Sequence, residues 1–296
     1  MIWWMVALLS SMITAVYIYS NQILRLPASL LMVYRGLVLF AVMYAVSIPF
    51  GISLSNKFYY LALIQGLLIG YGDNAFFRSS KAFGAEITGV IQPLSIGVTF
   101  FAWLIISPLK FNELFSNSLD FPIIVLCLIG VVAATLVLRK VKTNKKALRY
   151  MFPVLFVMSA IDILNKTIMS LPEDVSIFEH VYSYTMWTAL SAGIYNLFLY
   201  MRSRHEVKAL FERKTVAKAL VLLVIVILNT SVKAYAMSLT PNPAYTASII
   251  FLFPVWIIFA NKIYYRINKD KTYVRINIKA LVLLLTSIII LILMTR

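Results

Sequence analysis

Residues Ala280-Leu281-Val282-Leu283-Leu284-Leu285-Thr286-Ser287-Ile288-Ile289-Ile290-Leu291-Ile292-Leu293 carry large apolar side chains on every helical face, interrupted only by Thr286 and Ser287. A helix on the surface of a water-soluble protein keeps one polar side, whereas an all-round apolar helix needs lipid or a deep core around it. The same texture recurs at Ala219 to Leu228 and along most of the chain, where 61% of residues are hydrophobic and 13% charged. Mean hydropathy is +0.88, far from the mixture of a soluble domain. A β-barrel is the other architecture that satisfies its backbone in lipid, but its strands are short and alternate apolar with polar side chains. Here the apolar runs are continuous, so helices are expected.

Crossing a hydrocarbon layer of about 30 Å takes roughly 20 mostly apolar helical residues. That length recurs over 1–20, 28–50, 58–80, 84–106, 121–138, 150–171, 177–201, 216–238, 243–265 and 277–294. The expected fold is an all-α integral membrane protein of ten transmembrane helices. The first segment lacks a basic leader and a small-residue cleavage site, and is read as a span rather than a signal. The single cysteine, Cys127, lies within the fifth span and excludes an internal disulfide or a cysteine metal cluster.

The net charge of +16 raises the question of a nucleic-acid partner, which the placement of the charges answers. Odd-numbered connections, with the helix ends beside them, hold 21 of the 27 lysines and arginines. Lys57, Lys110 and Arg296 are the three on the opposite side, and Arg35, Lys166 and Lys233 fall inside spans. This one-sidedness is the positive-inside pattern: basic loops facing anionic lipid heads, on the cytoplasmic side of what is expected to be a bacterial inner membrane, with no nucleic acid required.

The longest basic connection, 139–149, divides the chain into five spans over 1–138 and five over 150–296. An odd number of spans per copy threads the second copy oppositely, so the expected organisation is two inverted five-helix repeats. The fourth and ninth spans each have one proline near the centre, Pro93 and Pro254. A proline inside a helix removes an N–H and clashes with the carbonyl four residues back, here Gly89 and Ile250. Lipid cannot satisfy a freed carbonyl, so paired breaks point to backbone facing protein or a watery cavity, and Pro93 and Pro254 are assigned as helix-break or gating positions.

These residues resemble the drug/metabolite transporter superfamily, specifically its ten-helix EamA-type members. The resemblance covers almost the whole chain. It rests on the five-plus-five count, on Arg35 in the second span, on Ala85-Glu86 ahead of Pro93-Leu94, and on Ala247 ahead of Pro254-Val255. The family's glutamate after the fourth span has only a displaced counterpart, Glu113, and Asn261-Lys262 follows the ninth. The resemblance implies a secondary transporter for a small metabolite. It also implies cytoplasmic termini, where the charge count places both termini outside; the charge count is followed here. Ser159-Ala160-Ile161-Asp162-Ile163-Leu164-Asn165-Lys166 is similar to the sixth span of members that import S-adenosylmethionine, which would make Asp162 the counter-charge of a cationic, amino-acid-like nucleotide metabolite.

Ionisable groups at membrane depth cost on the order of 2.5 to 3.5 kcal/mol even on lenient scales, so each needs a partner or water. Arg35 and Asp73 sit at similar depth near the basic side and can pair. Asp162 and Lys166, spaced i,i+4, share a face of the sixth span, and Lys233 in the eighth lies at a depth close to Lys166. Glu179 and His180 are expected nearby. The substrate-binding candidates are therefore Arg35, Asp73, Gln92, Asp162, Asn165, Lys166, Trp187, Lys233 and Tyr235, the aromatic pair for stacking on a planar or cationic group. Gly66-Leu67-Leu68-Ile69-Gly70 permits close helix approach.

No zinc-type histidine pair, Gly-x-Ser-x-Gly or phosphate loop is present, so neither an enzyme nor a cofactor is read from the sequence. The expected function is transport of a small polar or charged metabolite by alternating access, with a proton or counter-substrate for coupling, in a monomer or homodimer among membrane lipids. The alternative is a flippase for a lipid-linked phosphate head group, met by Arg35, Lys166 and Lys233.

Overall fold

A computed structural model describes residues 3–24, 27–47, 51–83, 91–108, 119–138, 145–203, 210–268 and 277–295. Among them the secondary structure is helical, with no strand. Helix α1 is Trp3–Leu24 and α2 is Ala28–Ser47, the latter opened into a π-turn over Tyr34–Val38. Next come α3 (Asn56–Phe83), α4 (Ile91–Ile106) and α5 (Asp120–Leu138). The second half holds α6 (Lys145–Met169), α7 (Ile177–Arg202), α8 (Arg213–Leu239), α9 (Pro243–Ile250), α10 (Phe253–Asn268) and α11 (Ile278–Met294).

Among the described residues, six segments are long and apolar enough to cross a membrane: α1, α2, α5, α6, α8 and the α9–α10 pair. They fit an integral multi-pass membrane protein, and their outward faces agree: Leu126, Ile129, Ile289 and Leu293 are each more than half exposed, a surface that water would not support. Helices α4 and α11 are apolar but shorter, at 16 and 17 residues. Helices α3 and α7 have the length, at 28 and 26 residues, but no spanning stretch of either is as apolar as those six. Those two pack on each other and on α2 and α6, so their polar groups meet protein.

Local signals explain several boundaries. Ser176 caps α7 through a capping box in which the Glu179 backbone N–H donates to the Ser176 hydroxyl (3.2 Å) and the Ser176 backbone N–H to the Glu179 carboxylate (2.8 Å). Asn242 accepts from the Ala244 N–H at 2.9 Å and Asn277 from the Ala280 N–H at 3.2 Å, starting α9 and α11. Helix α6 begins at Lys145, inside the basic connection, whose residues 139–144 lie outside the described ones.

The ninth span is two helices. Helix α9 ends at Ile250, Phe251 and Leu252 form a turn, and α10 starts one residue ahead of Pro254. The Val255 N–H turns back to the Leu252 carbonyl at 2.9 Å, a three-residue closure where the α-helical bond has been lost. In the fourth span, Pro93 is buried near the start of the described part of α4; the upstream carbonyl of Gly89 lies outside the described residues.

Helix α1 packs against α8 and α3 against α6; α4 packs against α6 and α9, α1 against α9 and α10, α5 against α11, and α2 against α7. The last contact brings backbones together: a Cβ added to Gly36 would lie 2.1 Å from the Gly193 Cα. On α3 a Cβ at Gly66 would lie 2.2 Å from the Thr188 carbonyl oxygen, the close approach expected of the Gly66 to Gly70 run. The largest apolar core is formed by α1, α4, α5, α9, α10 and α11; smaller apolar clusters flank the polar helices.

Candidate functional site

Among the described residues, two ion pairs lie within the bundle. Arg35 sits in the π-turn of α2, a distortion that frees backbone geometry and recurs at functional positions, and its Nη1 meets Asp73 Oδ2 on α3 at 2.8 Å. The Tyr17 hydroxyl of α1 faces the same guanidinium. The pairing expected of Arg35 and Asp73 is present. Lys233 Nζ on α8 meets Asp162 Oδ1 on α6, also at 2.8 Å, with the carboxylate side chain 11% exposed.

The second pair settles a partner that the sequence left open. Asp162 and Lys166 share a helix face, but Asp162 bonds to Lys233 on another helix, and the Lys166 ammonium donates to the Ser238 carbonyl at 3.1 Å. Four residues of rise carry Lys166 about 6 Å further along the helix axis, past the carboxylate and toward the end of α8. Glu179, expected near this cluster, is held in the α7 capping box instead, and the His180 ring packs 5.2 Å from Phe58.

Between the ion pairs lies a hydrogen-bonded junction that sequence reading did not single out. The Gln65 amide of α3 donates to the Tyr184 hydroxyl of α7 and to the Ile161 carbonyl of α6, both at 2.8 Å. Eight residues separate Gln65 from Asp73, so the junction and the Arg35–Asp73 pair are about 12 Å apart along α3. Gln65 is fully buried and Tyr184 nearly so. The signal was faint: one amide in an apolar stretch beside Gly66, and a tyrosine among many.

Asn165 is buried, and its Oδ1 has no hydrogen-bond partner among the described residues; the same holds for the hydroxyls of Thr99 on α4 and Thr246 on α9. These three helices pack on one another, and Thr99 lies one turn from Trp103. Trp187 stands between Tyr59 (5.1 Å, edge-on) and Phe40 (5.9 Å) in an aromatic packing cluster. Tyr235 stacks on Phe178 at 6.4 Å, away from the ion pairs. The Gln92 side chain lies outside the described residues.

Two spaces adjoin these groups. A cavity of about 30 Å³ lined by Arg35, Asp73, Thr188 and Asn196 has room for a water or two and none for a metabolite. A vestibule of about 540 Å³, the size of a small-molecule site, is lined by Lys57, Trp103, Ser107, Lys166, Ser170 and Pro241 among others. All six belong to the ends of helices or connections on the side opposite the basic loops. Compared with known protein families and with curated proteins, the chain matches none of them.

Proposed function

We propose that this chain is a secondary carrier that moves a small polar or charged metabolite across a membrane by alternating access between two inverted five-helix halves. The packing pairs support the repeat. If span n of the first half corresponds to span n + 5, the α1–α8 contact is answered by α6–α3, and the α4–α6 contact by α9 and α10 on α1. The α2–α7, α4–α9 and α5–α11 contacts then lie on the relating axis.

The observation that carries the reading is how charge and neutral bonds are divided. Each ion pair joins two helices of the same half: Arg35 with Asp73 in the first, Lys233 with Asp162 in the second. Among the described residues, the bonds crossing between halves at depth are neutral, as in Gln65 to Tyr184 and Ser159 to the Ser95 carbonyl at 3.1 Å; at the bundle's end Trp103 Nε1 donates to the Pro241 carbonyl at 3.0 Å and the Glu173 carboxylate accepts from Ser55. A neutral hydrogen bond contributes about 1 kcal/mol, whereas separating a desolvated ion pair costs several, so halves held together this way can exchange partners while their charges stay compensated. The large vestibule on one side and the small cavity near Arg35 correspond to a carrier open away from its basic face.

Uptake of labelled amino acids, nucleotide metabolites and sugars into proteoliposomes tests this, with Asp162→Asn and Lys233→Ala beside wild type. Wild type accumulates at least one solute and both variants lose that flux; the reading is wrong if no solute moves, and this site is wrong if the variants keep pace.

A further inference from the structure

We infer that the vestibule opposite the basic face is an access site for an organic anion, one bearing a phosphate or a carboxylate. The inference rests on the carrier reading for its purpose but on the vestibule's own lining for its chemistry. The face on which it opens holds only Lys57, Lys110 and Arg296 of the chain's 27 lysines and arginines. Lys57 is one of those three, and it stands on the vestibule wall. Lys166, a lysine inside a span, brings a second ammonium to the same wall from α6. Lysine on this side runs against the insertion bias and, inside a span, against solvation; the Ser238 carbonyl that accepts from Lys166 is a neutral partner, and Lys57 and Lys166 converge on one concavity.

The rest of the lining fits the same ligand. No carboxylate is among the described residues that line the vestibule, and Ser107 and Ser170 add hydroxyl donors. Glu173, the acid next along from Pro172, is turned to Ser55, accepting from its backbone N–H at 2.9 Å and from its hydroxyl. The Trp103 N–H is held by the Pro241 carbonyl at 3.0 Å, which fixes an indole in the wall as an apolar surface for the carbon skeleton of the solute. Lysines act as point charges without the planar fork of arginine, so they attract phosphate and carboxylate alike; the discrimination they provide is against cations and neutral solutes.

The test is equilibrium binding to the full chain in phosphatidylcholine nanodiscs of labelled glycerol 3-phosphate, glutamate and adenosine monophosphate, against glycerol, lysine and adenosine. At least one anion is expected to bind roughly tenfold or more tightly than its uncharged or cationic counterpart, and to weaken with added salt. Lys57→Gln is expected to weaken that binding about tenfold while Lys57→Arg keeps it. Because Lys57 is exposed, this variant tests the site even if Lys166→Gln does not fold. Competition by phosphatidate in the nanodisc would assign the anion to a lipid head group, and indifference to it a soluble metabolite; both support the site. Equal affinity for glycerol or lysine, no anion binding, or Lys57→Gln binding like wild type would overturn it. Anion binding without flux in proteoliposomes would sink the carrier reading and leave the vestibule; flux of a cation without anion binding would do the reverse.

Discussion

The α5–α11 flank and the α2–α3–α6–α7–α8 seam are both helical and both bury side chains, yet different forces hold them. In the flank, Ile124, Val131 and Leu284 are buried in the large apolar core, and a Cβ at Gly130 would lie 2.3 Å from the Ser287 Oγ. Lipid tails are as apolar as leucine, so this contact gains from shape and dispersion rather than from escape from water. In the seam, helices too polar for the flank's environment satisfy one another through Arg35–Asp73, Gln65–Tyr184 and Lys233–Asp162. The lesson is a division of labour: the flank needs only volume, so substitutions there act on stability alone, while in the seam each residue is half of a bond whose other half remains after mutation.

Four tests would break or sharpen that contrast. The largest effect is expected from Lys233→Ala, which strands the Asp162 carboxylate and should cost on the order of 3 kcal/mol in thermal or denaturant unfolding, with flux abolished. Pairing it with Asp162→Asn should restore most of the stability and none of the flux; recovery of both would show the ion pair to be scaffolding. Next, Leu284→Ala in the flank should lower stability by about 2 kcal/mol through the cavity it leaves, with uptake per folded molecule unchanged. A loss of flux there would erase the distinction between the regions.

Tyr184→Phe comes third. Removing one hydroxyl from the Gln65 junction should cost about 1 kcal/mol in stability, and it should change the rate of uptake more than the stability, because that bond crosses between the halves. Equal rates in variant and wild type would remove the junction from the transport cycle. Smallest is Leu126→Ala on the outward face of α5, where the side chain is 67% exposed; melting should shift by no more than about 0.5 kcal/mol equivalent, which sets the floor for reading the other three.

How far the sequence reached differs between these regions. The flank was legible residue by residue, since Ala280 to Leu293 declares its environment through composition alone. In the seam the sequence identified Arg35, Asp73, Asp162 and Lys233 as costly and anticipated one pairing. It left the partner of Asp162 open, because i,i+4 spacing guarantees a shared face and says nothing about a lysine 71 residues away. It passed over Gln65 and Lys57, whose interest lies wholly in what stands opposite them. The break at Pro254 was readable from one residue, while its counterpart before Pro93 falls outside the described residues.

By itself, then, the amino-acid sequence determined that the chain is helical and lives in a membrane, because apolar length and backbone satisfaction are properties of one segment at a time. Which acid meets which base, which glycine admits a neighbouring backbone, and where a vestibule opens were decided only when distant helices came together. Those are distances between segments, and pair energies at a few ångströms depend on the distances rather than on either sequence alone.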